Sequence, residues 1–179
     1  MNATNTTPRI YAACLAAYNA GRLHGRWIDA TIGADAIRDE IAAMLAESPE
    51  PGAEEFAIHD HEGLGDIGEY EDLDRVAEIG EAVAEAGDAA PALLAWLDAE
   101  AGRDPSEFAD VYRGEWRTLA EYVESFWDDV GYDADKAAGG SWWHPARYVD
   151  WDRMANDLRL SGDVEVHDAP RGVYVFATN

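Results

Sequence analysis

Five acids in the middle of the chain, Asp74, Glu78, Glu81, Glu85 and Asp88, follow one another at spacings of 4, 3, 4 and 3. That rhythm predicts a helix with all five on one face and Leu73, Val76, Ile79 and Val83 on the other. A segment patterned this way has one stable outcome: the apolar stripe is buried against another element and the acids stay in water. The acid face itself works against the helix. Four neighbouring like-charge pairs cost roughly 0.2 to 0.5 kcal/mol each, and Glu85 and Asp88 lie at the end where the helix dipole favours cations. An ordinary solvated face interleaves lysines, yet Lys136 is the only lysine in the chain.

The same imbalance runs through the whole sequence, with 37 Asp and Glu against 13 Lys and Arg and a net charge of −24. Residues 1–60 carry −5, 61–103 carry −10, 104–160 carry −7 and 161–179 carry −2. So acidic a chain has no basic footprint for nucleic acid or for an anionic membrane. With 47% hydrophobic residues, 7 Trp and 8 Tyr, it is also too apolar to be a disordered acidic tail. Its length of 179 residues suits one or two average domains.

Further acids recur at helical spacing, first Asp104, Glu107 and Asp110, then Glu121, Glu124 and Asp128. A single helical stripe offers about one charge per 5 Å, whereas duplex DNA carries about one per 1.7 Å of axis. Several stripes side by side approach that density, and the net charge equals that of about 40 Å of duplex per chain, or about 80 Å for a dimer. A surface imitating a DNA backbone accounts for these figures. A general acidic bias of the salt-adapted kind, serving only hydration, accounts for the composition equally well but puts acids on every face.

The remaining pattern predicts an α+β chain. Arg9 to Ala17 reads as a buried strand, Trp27 to Ile32 as a short apolar piece, Asp35 to Glu47 as a helix with Ile37, Ile41, Met44 and Leu45 inward, and Glu55 to His59 as another strand. Three glycines from Gly63 to Gly68 suggest a break near residue 61. Helices follow from about Asp72 to Gly87 and from about Pro91 to Ala101, the second capped by Asp88 and ended by Gly102. Ser106 to Tyr112 is a helical turn, and Glu115 to Val130 a longer helix whose Leu119, Tyr122, Val123, Phe126, Trp127 and Val130 form a core stripe. After a loop at Gly139 to His144 carrying Trp142 and Trp143 come a helix from about Val149 to Leu160 and a hairpin of Val164 to Val166 with Val173 to Phe176. The expected division is an N-terminal α+β domain at 1–61, an acidic helical middle domain at 62–103 and a C-terminal α+β domain at 104–179, the last holding a dimer contact through its aromatics.

Signatures of chemistry are scarce. The sequence has no phosphate-binding Gly-x-x-x-x-Gly-Lys, no paired Cys-x-x-Cys, no His-Glu-x-x-His and no Gly-x-Ser-x-Gly. The best metal candidate is His59 and His61, alternate residues of one strand, with Glu62 beside them, which would make the protein a metal-dependent hydrolase. Cys14 lies among apolar neighbours as a buried, inert thiol. The polar start and the short apolar stretch from Ile10 to Tyr18 give no export signal and no membrane span, so a cytoplasmic protein is expected.

Blocks spread along the chain resemble the ArdA antirestriction proteins carried by plasmids, conjugative transposons and phages. They are Ile10 to Asn19, Gly21 to Asp29, Glu55 to Asp60 with Glu62-Gly63, Tyr112-Arg113-Gly114-Glu115-Trp116, Tyr148 to Trp151 with Met154-Ala155 and Asp157-Leu158, and Gly172 to Phe176. The resemblance implies an elongated chain of three small domains, dimerised through its C-terminal part. It implies a DNA mimic without cofactor, metal or catalysis, occupying the DNA groove of type I restriction-modification enzymes. The stretch from Glu107 to Tyr132 is similar to the family's antirestriction motif, and the acids named above are the positions onto which the acidic face carries over.

Overall fold

The structure is a computed structural model and describes residues 7–129 and 149–178. The chain forms two compact units, residues 1–106 and 107–179. Each unit combines helices with a three-stranded antiparallel sheet, so the fold class is α+β.

In the first unit, β1 (Arg9–Cys14) runs between β2 (Gly25–Asp29) and β3 (Phe56–Glu62). The strand expected to reach Ala17 stops at Cys14. The Cys14 and Leu15 amides donate the last bonds to the flanking chain, at the carbonyls of His24 and Glu55. Past them the good helix formers Leu15, Ala16 and Ala17 turn into α1 (Leu15–Asn19). β2 begins at Gly25, two residues before the expected apolar piece. A Cβ there would lie 2.6 Å from the Ala12 carbonyl oxygen and 2.7 Å from the Tyr11 ring, so only glycine lets the two strands approach. Asp29 ends β2 by accepting the Thr31 amide at 2.8 Å and its hydroxyl at 2.7 Å. Ile10, Ala12, Cys14 and Ile28 then pack with Ile37, Ile41 and Met44 of α2 (Ala34–Ala46) in the first core.

The acid-striped segment is α3 (Leu73–Ala86), and α4 (Ala90–Ala99) follows after a single 3-10 turn, Gly87–Ala89. α3 buries Val76, Ala77, Ile79, Gly80 and Val83 and packs on α2 and α4, the latter contributing Ala92, Leu93, Trp96 and Leu97. A Cβ on Gly80 would stand 2.5 Å from the main-chain oxygen of Ala30, which brings this helix onto the backbone just after β2. Asp88 does not cap α4: the residue before the helix is Ala89, with no side-chain cap bond, because the 3-10 turn runs straight into it.

A 3-10 turn at Pro105–Glu107 leads into the second unit, where α5 (Phe108–Val111) is followed directly by β4 (Tyr112–Trp116). Then come α6 (Leu119–Asp129), α7 (Trp151–Ser161) and the hairpin of β5 (Val164–Ala169) with β6 (Gly172–Ala177), in sheet order β4-β6-β5. The helix expected from Glu115 therefore starts later. Glu115 and Trp116 pair with Tyr174 and Val173 instead. The start of α6 is set by Thr118, whose hydroxyl accepts the Glu121 amide at 3.1 Å, while the Glu121 carboxylate accepts the Arg117 amide at 3.1 Å. Phe108, Val111, Val123, Ala155, Val164, Tyr174, Val175 and Phe176 are buried. The aromatic stripe of α6 is only partly core: Val123 is buried but Phe126 is 48% exposed. Val130 and the Gly139 to His144 loop lie outside the described residues.

Candidate functional site

α3 presents its acids because its other side is fixed. The Asp72 carboxylate caps the helix by accepting the Asp74 amide at 2.7 Å, and with Val76, Ile79 and Val83 inward, Asp74, Glu78, Glu81 and Glu85 are all exposed. Asp88, released from any capping role, is exposed in the turn that follows.

The five are not electrostatically equal. Asp74 meets the Arg38 guanidinium at 2.6 Å, and Glu78 stands 3.9 Å from Arg75. Among the described residues, Glu81, Glu85 and Asp88 have neither an ion pair nor a hydrogen bond from their side chains. The arginines are engaged elsewhere: Arg9 with Glu62, Arg22 with Glu50, Arg26 with Glu40 and Glu47, and Arg103 with Glu100. The uncompensated charge of this helix thus collects in its last two turns.

Asp104, also exposed, accepts the Ser106 hydroxyl at 2.7 Å and amide at 2.9 Å. These bonds, aided by the Arg75 charge, hold its carboxyl below the usual range. In the second unit, Glu107, Asp110 and Glu124 are exposed and their carboxylates have no ion pair among the described residues. Arg113 bonds the main-chain oxygen of Asp110 and leaves its carboxylate free. Glu121 is different: the Arg117 guanidinium reaches it at 3.1 Å and holds its carboxyl low. The side chain of Asp128 lies outside the described residues. Sequence reasoning found the acids but missed Arg38 and its pairing with Asp74, since that partner comes from a helix 36 residues away. Arg117, four residues before Glu121, was readable as a helical pair.

The histidine candidate does not assemble. In the pairing of β1 with β3, Tyr11 faces Asp60 and Ala12 faces Ile58, so His59 is the extra residue of a β-bulge and strict alternation with His61 is lost. The Glu62 carboxylate is held by Arg9 at 2.8 Å, which keeps its carboxyl below the usual range. Among the described residues no group of three or more His, Cys, Asp or Glu side chains could hold a metal ion, and no helix is long and apolar enough to cross a membrane. Cys14 is buried, its sulfur 3.4 Å from the Ser48 hydroxyl.

No curated protein matches the sequence. The family model described as antirestriction protein (ArdA) matches residues 10–172 of the 179, a span holding every helix described above, β2 to β5, all of β1 but Arg9 and all eleven acids of the candidate face, and ending on the first residue of β6. With that coverage, and with the acid-bearing α+β units in place, the chain belongs to the ArdA family of antirestriction proteins.

Proposed function

We propose that this antirestriction protein works as a mimic of B-form DNA, occupying the DNA-binding groove of type I restriction-modification enzymes without turning over any substrate. The observation that carries this reading is the run Glu81, Glu85 and Asp88, three exposed carboxylates in succession with no compensating cation among the described residues, on the end of a helix whose other face is buried and the turn that follows it. Folding gains nothing from unpaired acids near a helix C-terminus; a partner's basic groove does. Long-range attraction to such a groove would raise the on-rate and steer the encounter. In this reading Glu107, Asp110 and Glu124 supply the same charge on the second unit.

The working form is a cytoplasmic homodimer joined through residues 104–179. The exposed apolar side chains Phe126 and Leu160 of that unit support the placement of the contact. The decisive experiment titrates the protein into a type I methyltransferase bound to a fluorescent duplex carrying its recognition sequence. Release of the duplex is expected; a complex that persists at large excess of protein overturns the reading.

A further inference from the structure

Folding of the first unit leaves two tyrosines outside its core. Tyr70 is 73% exposed and Tyr18 54%. A chain of contacts leads from one towards the other: the Tyr18 ring packs edge-on against His59 with centroids 4.7 Å apart, the His59 Nε2 stands 3.8 Å from the Glu69 carboxylate, and Tyr70 follows Glu69 in the chain. The Ile58 amide donates to the Glu69 carbonyl at 2.8 Å, fixing this segment beside β3. In the same stretch Leu64 and Ile67 are buried, so the segment had apolar side chains to tuck in and Tyr70 was not among them. Between Asp60 and Asp74 there is no lysine or arginine, and Asp60, Asp66, Glu69 and Asp72 are exposed.

An exposed tyrosine set among carboxylates fits one kind of partner group. A guanidinium stacks on the face of an aromatic ring while its edge donates to a neighbouring carboxylate. Tyrosine orders only two side-chain torsions on binding, and tyrosine and arginine are both enriched among residues that dominate interface energies. From this we infer that Tyr18 and Tyr70 form an aromatic anchor that receives arginines of the restriction enzyme's DNA groove. The inference rests on the mimicry reading above and adds to it a component of binding that charge alone does not supply. The acids set the salt dependence of the complex; the rings add affinity that persists when salt screens the acids.

The test compares the parent, Tyr70→Ala, the double variant Tyr18→Ala/Tyr70→Ala and the double variant Tyr18→Phe/Tyr70→Phe in the duplex-release assay across a salt series. The alanine double variant is expected to weaken binding about 5- to 30-fold with the salt slope unchanged, because the slope counts neutralised charges. The phenylalanine pair keeps the ring faces and should bind like the parent. Tyr70→Ala removes a side chain that is largely in solvent and should fold normally while losing part of the affinity. Undiminished binding by both alanine variants overturns the anchor and leaves mimicry standing, as does a phenylalanine pair that binds as poorly as the alanine pair. A parent protein that releases no duplex overturns the mimicry reading and the anchor with it.

Discussion

Arg38 of α2 reaches Asp74 on the first turn of α3 at 2.6 Å and holds Asp35 of its own helix at 3.1 Å. One guanidinium thus ties two helices together and removes one charge from the acid row. Replacing it by methionine, as Arg38→Met, is expected to lower the unfolding midpoint only slightly, since the pair is solvent-exposed. Asp74 would then be unpaired, and affinity for a type I enzyme should rise by a factor of about 1.5 to 5. Urea denaturation and the duplex-release assay read the two effects separately.

The unpaired end of α3 should separate folding from function. Glu81→Gln, Glu85→Gln and Asp88→Asn together remove like-charge neighbours, so thermal unfolding should be unchanged or shifted upward. Affinity should fall roughly 3- to 100-fold, with a shallower dependence on salt. A triple variant that releases DNA as well as the parent contradicts the assignment of these residues.

Gly80→Ala makes the opposite kind of prediction. Alanine gains about 1 kcal/mol in helix propensity, but its Cβ would meet the Ala30 main-chain oxygen at 2.5 Å, and backbone cannot swing aside as a side chain can. A net destabilisation of about 1 to 2 kcal/mol is expected, measured by chemical denaturation. A variant more stable than the parent would show that α3 does not press on the backbone at this point.

Glu121 titrates below the ordinary carboxylate range because the Arg117 guanidinium bonds it. Its contribution to stability is complete above the unfolded-state value and is lost as the pH falls through the lower folded value. Arg117→Met should raise the Glu121 midpoint, followed by carbon NMR of its carboxyl, and should move the acid-unfolding transition slightly toward neutral pH. An unchanged midpoint would mean that the pair is not formed in solution.

Much of this fold was legible. The helical period of α3 and α2 was strong because each buries one stripe and exposes the other, and the alternation of Val164 to Val166 and Val173 to Phe176 marked the closing hairpin. β4 was missed although Tyr112, Gly114 and Trp116 alternate with Arg113 and Glu115. The strong apolar helical spacing that starts at Leu119 overshadows it, and the true start of α6 is marked only by Thr118 and Glu121. The bulge at His59 has no local signature, since it depends on how β3 registers against β1. Of the candidate face, the positions of the acids could be read from spacing alone. The neutralisation of Asp74 could not, because Arg38 and Asp74 come together only when two helices pack.

The seating of Gly80 on the Ala30 backbone also fixes the angular phase of α3. Each residue added to a helix turns everything beyond it by about 100°. One residue inserted between Gly80 and Glu81 would therefore swing Glu81, Glu85 and Asp88 about a quarter turn away from their present direction, with every charge still present. Exchange of glutamate for aspartate changes reach by one methylene and keeps the direction. In this segment the length of the chain is held far more tightly than the identity of its acids, so relatives should vary freely between the two carboxylates along α3 and yet tolerate no gap within it.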